Sequence, residues 1–318
     1  MHKKEEMSCI NCGGKESRFL FDAKDYRLAT TEKSFSVYKC SGCGLMFLNP
    51  MPQEDELGIF YPDDYYQPGI SLIEKLYSPL IDRCFKKIVN EIKKFKSGGR
   101  SLDVGCGTGI FMSYFHREGF DAYGTDISKK AGSVLPDTLK SKVTIGPFLK
   151  NEFPSAYFDV ITLKQVLEHF IEPEAVLKEV YRILKLDGVL YIEVPNTKCL
   201  EARLFKKYWY NLEVPRHLYH FNLNNFLLFV EKNGFKRIRV LGSSGRMIFR
   251  TPLALVNSLL FYLKYKRQQG IDLMTKVMYS LCLFPLLLLS LLYRLFSAPE
   301  KQTDLRIIFK KERRLSDE

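Results

Sequence analysis

With 318 residues the chain can bury at least one large core and carry two or three units. A net charge of +12 fits nucleic acid, anionic lipid or an anionic substrate as a partner. Residues 1–8 are charged and lack a signal-peptide pattern, and four of the eight cysteines form Cys-x-x-Cys pairs, which speaks against a disulfide scaffold and for metal and reduced thiols.

Two matching knuckles come first, Cys9-Ile10-Asn11-Cys12-Gly13 and Cys40-Ser41-Gly42-Cys43-Gly44. Each aims two thiolates at one point, and glycine after the second cysteine permits the tight backbone. Two such turns make a closed tetrahedral sulfur site, so Cys9, Cys12, Cys40 and Cys43 are expected to hold a structural Zn2+. A redox pair is the alternative. Residues 19–21 and 34–38 alternate like short strands. The pattern predicts a zinc ribbon over residues 1–50, closed by Asn49-Pro50-Met51-Pro52. Tyr61-Pro62-Asp63-Asp64-Tyr65-Tyr66 reads as an aromatic loop and 72–96 has helical periodicity, so 51–98 is expected to be loop and linker helix.

From 99 to 245 strand and helix patterns alternate, which predicts an α/β, Rossmann-like, mainly parallel sheet covered on both faces. The expected strands are 101–104, 122–125, 143–145, 158–163, 189–193 and 236–241. Between the first strand and a helix starting near Phe111 lies Gly105-Cys106-Gly107-Thr108-Gly109. Glycine there allows positive φ and lets a ligand approach bare backbone, while the helix turns its free N–H groups toward that ligand. Asp126, at the end of the second strand, is placed to take two ribose hydroxyls. Such sheets bind ligands at the carboxyl ends of their strands, an edge that collects Gly105, Asp126, Phe148, Lys164, Gln165, His169 and Pro195-Asn196. A dinucleotide turn would read G-x-G-x-x-G; here the spacing is G-x-G-x-G, directly preceded by Asp103-Val104.

This loop resembles motif I of the class I S-adenosylmethionine-dependent methyltransferases, and Gly124-Thr125-Asp126 is similar to their motif II. Residues 158–163 with Gln165-Val166-Leu167-Glu168-His169 resemble motif IV and its exit turn, and 184–190 resemble the helix-turn-strand of motif VI. The knuckles, the Tyr61–Tyr66 loop, Leu167-Glu168-His169, Val194-Pro195-Asn196 and Pro215-Arg216-His217-Leu218 are together similar to a methyltransferase group common in bacterial surface-polysaccharide biosynthesis. The core also resembles the ubiquinone-biosynthesis O-methyltransferases. The resemblance implies a seven-stranded sheet, mostly parallel with an antiparallel last strand. It also implies S-adenosyl-L-methionine bound by Asp103, Gly105, Cys106, Gly107, Gly109, Asp126, Ile127, Phe148, Lys164 and Gln165. Two departures stand out. The relatives' E-x-x-E-H cluster, which can hold a divalent metal, begins here with Gln165 and is one carboxylate short. The acid that many relatives carry after the third strand is absent from Gly146-Pro147-Phe148-Leu149-Lys150, which leaves adenine to backbone groups and Phe148.

Residues 203–221 concentrate polar and aromatic side chains, among them Lys206, Trp209, Tyr210, Arg216, His217 and His220. Methyl transfer asks the protein to hold the acceptor in line and often to take its proton. Histidine suits that base near neutral pH, and His217 and His169 are the candidates. The plainer role for either is to fasten a loop by hydrogen bonds. His116, next to Arg117 on a helix, reads as a surface residue.

Residues 247–265 and 273–296 are strongly apolar and make 246–302 a helical insertion. Residues 304–310 read as the last strand, paired with 236–241, so the methyltransferase domain comprises 99–245 and 303–311. Both ends of the insertion then lie on one side of any membrane. Arg250, Lys264, Lys266, Arg267, Lys276 and Arg294 border the apolar runs and suit anionic headgroups. A core-packed or dimerising helical pair, giving a homodimer, is the alternative.

The expectation is a cytoplasmic S-adenosylmethionine-dependent methyltransferase, peripherally associated with the inner face of the cell membrane. Its acceptor is expected to be a small molecule or a glycan, methylated on oxygen and in one version lipid-linked. A rival is a nucleic-acid methyltransferase or binder gripping phosphate. Against it, much of the basic charge borders the apolar runs, and the ribbon's cations face Glu16, Asp22, Asp25 and Glu32. A second rival is a scaffold that binds the cofactor without catalysis.

Overall fold

The computed structural model describes residues 8–62, 72–242, 258–259, 298 and 301–313, with 72–81 as helical backbone. The ribbon side of the chain carries β1 (Ser17–Lys24), β2 (Ser34–Cys40), β3 (Met46–Leu48) and the short α1 (Glu54–Leu57). There follow α2 (Leu72–Lys93), β4 (Gly99–Val104), α3 (Ile110–Arg117), β5 (Phe120–Asp126), α4 (Asp137–Lys140), β6 (Val143–Ile145), β7 (Phe158–Lys164), α5 (Pro173–Ile183) and β8 (Leu184–Pro195). The last elements are α6 (Leu200–Phe205), β9 (Tyr219–His220), α7 (Leu223–Glu231), β10 (Phe235–Val240) and β11 (Asp304–Lys311). They fall into two compact units. One draws on Met1–Pro62, Pro195–Asn225 and Gly242–Asp304, the other on Asp63–Val194, Phe226–Leu241 and Leu305–Glu318.

The first unit is built on an antiparallel sheet in the order β1-β2-β3-β9. β1 and β2 pair from Ser17 opposite Cys40 to Lys24 opposite Ser34. The fourth strand comes from far along the chain: Met46 faces His220 and Phe47 faces Tyr219. Val37, Phe47, Leu48 and Tyr219 are buried, so a small apolar layer forms under this sheet.

The second unit carries the seven-stranded sheet, in the order β10-β11-β8-β7-β4-β5-β6. Its pairs from β8 to β6 are parallel, and β11 runs antiparallel to β10. The first six residues of β7 are all buried, as expected where helices cover both faces of a parallel sheet. α2 buries Cys84, Phe85, Ile88, Val89 and Ile92, a 3.6-residue stripe, against Phe111, Met112 and Phe115 of α3. α5 buries Val176, Leu177, Val180, Tyr181 and Ile183.

This is the seven-stranded, mainly parallel α/β sheet anticipated from the sequence. The differences are local. β8 starts five residues earlier than expected, directly after α5. Its pairing with β7 jumps from Leu184 to Val189 while β7 advances only from Phe158 to Val160, so residues 185–188 bulge out where a turn was anticipated. β9, only two residues long, was not anticipated. The apolar runs 247–265 and 273–296 lie outside the described residues, except for Ser258 and Leu259, as do 63–66 of the aromatic loop. Among the described residues no helix is long and apolar enough to cross a membrane.

Candidate functional site

The carboxyl edge of the large sheet is shaped by the turn after β4. Gly105, Gly107 and Gly109 all have positive φ, at 69°, 51° and 90°. Side chains are excluded at two of them. A Cβ on Gly105 would lie 2.5 Å from Val166 Cγ2, and one on Gly109 would lie 2.5 Å from Leu135 Cγ. The turn folds over the end of β5, since the N–H groups of Gly105 and Cys106 both donate to the Thr125 carbonyl, at 2.8 and 3.1 Å. Cys106 is buried, and burial pushes its thiol well up, out of reach of ionisation.

Asp126 closes this arrangement. Its Oδ2 accepts the Gly107 N–H at 2.8 Å and its Oδ1 accepts the Ser128 N–H at 2.8 Å. Burial pushes its carboxyl above the usual range, and these N–H groups pull the other way. The Ile127 N–H adds a third backbone bond, and since a carboxylate has about four lone-pair sites, not all are used. Ile127, the next residue, is 58 % exposed and offers an apolar surface beside the acid. Asp103 lies deeper, accepting the Thr162 hydroxyl at 2.6 Å. Burial pushes its carboxyl up to about 7; Asp126 adds to this, while Thr162 and Lys164 oppose it.

Phe148 opens a single 3-10 turn, Phe148–Lys150, and is buried, whereas Leu149 beside it is exposed. Lys164 ends β7 with its ammonium 5.5 Å from the Phe85 ring centre. Gln165 adopts φ 57°, unusual for a residue with a side chain, and its N–H donates to the Glu193 carbonyl at 2.7 Å. Glu193 escaped the sequence reading. It is fully buried at the end of β8, accepts the Tyr191 hydroxyl at 2.7 Å and lies 3.8 Å from Arg306 Nε. Its only sequence signal is an acid closing an apolar strand. His169 is half-buried in the 3-10 turn Leu167–His169 of this unit.

In the first unit the four knuckle cysteines converge, with all four sulfurs within 4.8 Å of one another. Cys9 and Cys43 sulfurs are 3.6 Å apart, and those of Cys12 and Cys40 are 3.5 Å apart. Four thiolates at about 2.3 Å from one ion would stand about 3.8 Å apart, so the set fits a tetrahedral metal. The glycines Gly14 and Gly42 leave room for it: a Cβ on either would touch Cys12 Sγ at 3.4 or 3.3 Å.

His217 belongs to this unit and is buried. Its Nδ1 lies 2.9 Å from the Asn211 carbonyl oxygen. A carbonyl only accepts, so Nδ1 carries a proton and donates it to Asn211. The Glu213 carboxylate stands 3.7 Å from Nε2. Glu213 is in turn gripped by Arg27 and by Arg216 Nε, and Arg216 also binds Asp25. This four-residue ion network was not anticipated, because its members are scattered along the chain.

A family model described as a methyltransferase domain matches residues 72–240, more than half of the chain. The chain belongs to the methyltransferase-domain family. Over 109 residues the methyltransferase is 31% identical to the ubiquinone biosynthesis O-methyltransferase of Actinobacillus pleuropneumoniae serotype 5b, a match spanning 31% of this chain and 47% of that protein. The enzyme of that name from Chromobacterium violaceum is 33% identical over 107 residues, with 31% and 46% covered. The methyltransferase thus spans about half the length of the curated relatives it matches. A solved complex between the Haloferax volcanii Trm112 methyltransferase activator and a methyltransferase contains a chain of the same fold. It has a TM-score of 0.52 at 14% identity, covering 79% of this chain and 97% of that one. The family and fold are those of class I S-adenosylmethionine-dependent methyltransferases, and the edge described above fits that donor. Bare glycine backbone, the Asp126 carboxylate and the exposed Ile127 are chemically compatible with it.

Proposed function

We propose that the protein transfers a methyl group from S-adenosyl-L-methionine to a hydroxyl oxygen of a small-molecule or glycan acceptor, a saccharide in the first instance. The observation that carries this reading is Asp126 bound to the Gly107 N–H, which ties the acid at the end of β5 to the glycine turn after β4. When bound, the donor supplies an electrophilic methyl on a sulfonium. The glycine turn lies against its methionine and ribose part, Asp126 takes the ribose hydroxyls, and Ile127 with Phe148 borders adenine. Asp103, Cys106, Lys164 and Gln165 complete the wall.

His217 is the proposed base. Its Nδ1–H is committed to Asn211, so Nε2 is the atom that accepts the acceptor's proton. The Glu213 carboxylate at 3.7 Å stabilises the imidazolium so formed. His169 is the alternative base. The cysteine cluster holds one structural Zn2+. The apolar runs 247–265 and 273–296 with their basic borders support peripheral attachment to the inner face of the cell membrane, next to a lipid-linked acceptor.

The test is mass measurement of lipid-linked glycans from cells with and without the gene, followed by transfer of a labelled methyl group by the purified protein. A mass difference of one CH2 per modified sugar is expected. Identical glycans in both strains, with labelling of RNA or DNA by the purified protein, would replace the saccharide with nucleic acid.

A further inference from the structure

Beside His217 in sequence lie buried polar atoms with no hydrogen-bond partner: Trp209 Nε1, Asn211 Nδ2, and both ring nitrogens of His220. The three residues are 3%, 4% and 1% exposed. A buried polar group left unpaired costs about 1–3 kcal/mol, so such a concentration between positions 209 and 220 needs an explanation. Their surroundings are well fixed. Asn211 holds His217 through its carbonyl, and the His220 ring centre is 6.4 Å from that of His217. The Leu212 N–H donates to the Trp209 carbonyl at 3.0 Å, and the Tyr210 N–H to Ser258 Oγ at 2.9 Å.

Within the ion network described above, the two acids Asp25 and Glu213 are matched by the two cations Arg27 and Arg216. His220 is neutral, since burial without a partner pushes its ring down to about 3. The indole and the amide nitrogen only donate, whereas a neutral imidazole donates once and accepts once. The complement is an uncharged group with several acceptor oxygens and at least one hydroxyl, and its ring C–H faces suit a flat indole.

We propose that Trp209, Asn211 and His220 form a recognition subsite for a neutral, polyhydroxylated ring, such as an uncharged hexose. The subsite rests on the methyl-transfer reading and names the acceptor group that it would orient.

Trp209 is the only tryptophan in the chain, so its fluorescence reads the subsite directly. The full-length protein is titrated with a panel of neutral methyl hexosides and with the matching methyl hexuronates, with and without S-adenosylhomocysteine. A saturable emission change with at least one hexoside is expected, about tenfold weaker for its hexuronate. It should weaken about tenfold or more in Asn211→Ala and in His220→Gln. No response to any hexoside, an equal or stronger response to hexuronates, or an unchanged response in both variants would overturn the subsite and leave the buried atoms to water. If the variants do not fold, the comparison of neutral and anionic probes on the unaltered protein decides alone. Calorimetry with S-adenosylhomocysteine separates the two readings. Intact binding without a hexoside response removes only the subsite, whereas absent binding removes the methyl-transfer reading itself.

Discussion

Arg216 and Asp25, 191 positions apart, form a two-pronged ion pair with no solvent contact: Nη1 donates to Oδ2 at 2.9 Å and Nη2 to Oδ1 at 2.7 Å. Burial alone would raise the Asp25 carboxyl, but Arg216 and Thr30 outweigh it and bring it from 3.8 down to about 2. A carboxyl depressed in the folded state adds stability that is complete above its unfolded pKa. That stability is lost as pH falls from about 4 through about 2. Arg216→Met leaves the buried acid uncompensated and should cost about 3–5 kcal/mol near neutral pH. Urea midpoints of the two proteins should converge as pH falls from about 4 through about 2. A gap that stays constant over that range would mean that Asp25 is not ionised beside Arg216.

Asp126→Ala should weaken S-adenosylhomocysteine binding. Removing an ionised acceptor costs about 1.5–3 kcal/mol, or roughly tenfold to a hundredfold in affinity, read by calorimetry. The same change frees the Gly107 N–H, so the circular dichroism of the variant should be checked in parallel. Unaltered affinity would move the cofactor elsewhere.

Cys40→Ser should lower zinc content and thermal stability together, because a structural ion's binding energy is folding energy. Elemental analysis should give one zinc per unaltered chain. A metal-free protein with all four knuckle thiols open to alkylation would reject the metal site.

His217→Ala should cut turnover by about 10²–10⁴ while cofactor affinity stays the same. Substituting His169 instead tests the alternative, and a loss confined to that variant would exchange the two roles. If neither variant slows the reaction, another group or solvent takes the proton.

The large sheet was legible because its strands are short apolar runs bounded by glycine and polar turns. The strand at 143–145 was placed to the residue, and the pairing of β10 with β11 was foreseen once 304–310 was read as the last strand of a sheet of the kind the resemblance implies. The cysteine knuckles were legible for the same reason, since their chemistry is written within five consecutive residues. What escaped was non-local. Two residues, Tyr219 and His220, carry no periodicity from which a strand could be read. Glu193 looks like any acid at a strand end until Gln165, Tyr191 and Arg306 gather around it. The partnership of Asp25 with Arg216 has no signature in either neighbourhood. The glycine turn and Asp126 were read from their order and spacing, whereas the proposed roles for residues 209–220 depend on which atoms the fold leaves unpaired.

The strand that completes the first sheet arrives late in synthesis. All four knuckle cysteines and β1 to β3 have been synthesised once Leu48 is added, but β9 and Asn225, whose carbonyl accepts from the Asn11 amide at 2.8 Å, follow some 170 residues later. At about 5–20 residues per second the nascent chain spends on the order of ten seconds or more with the outer edge of β3 open and four thiols uncovered. An unpaired edge is a template for another chain, and free thiolates scavenge metals and oxidants. A fragment ending at Pro62 would keep that edge open permanently. It should aggregate in proportion to its concentration even with zinc bound, whereas the same segment in the full chain is closed by Tyr219 and His220.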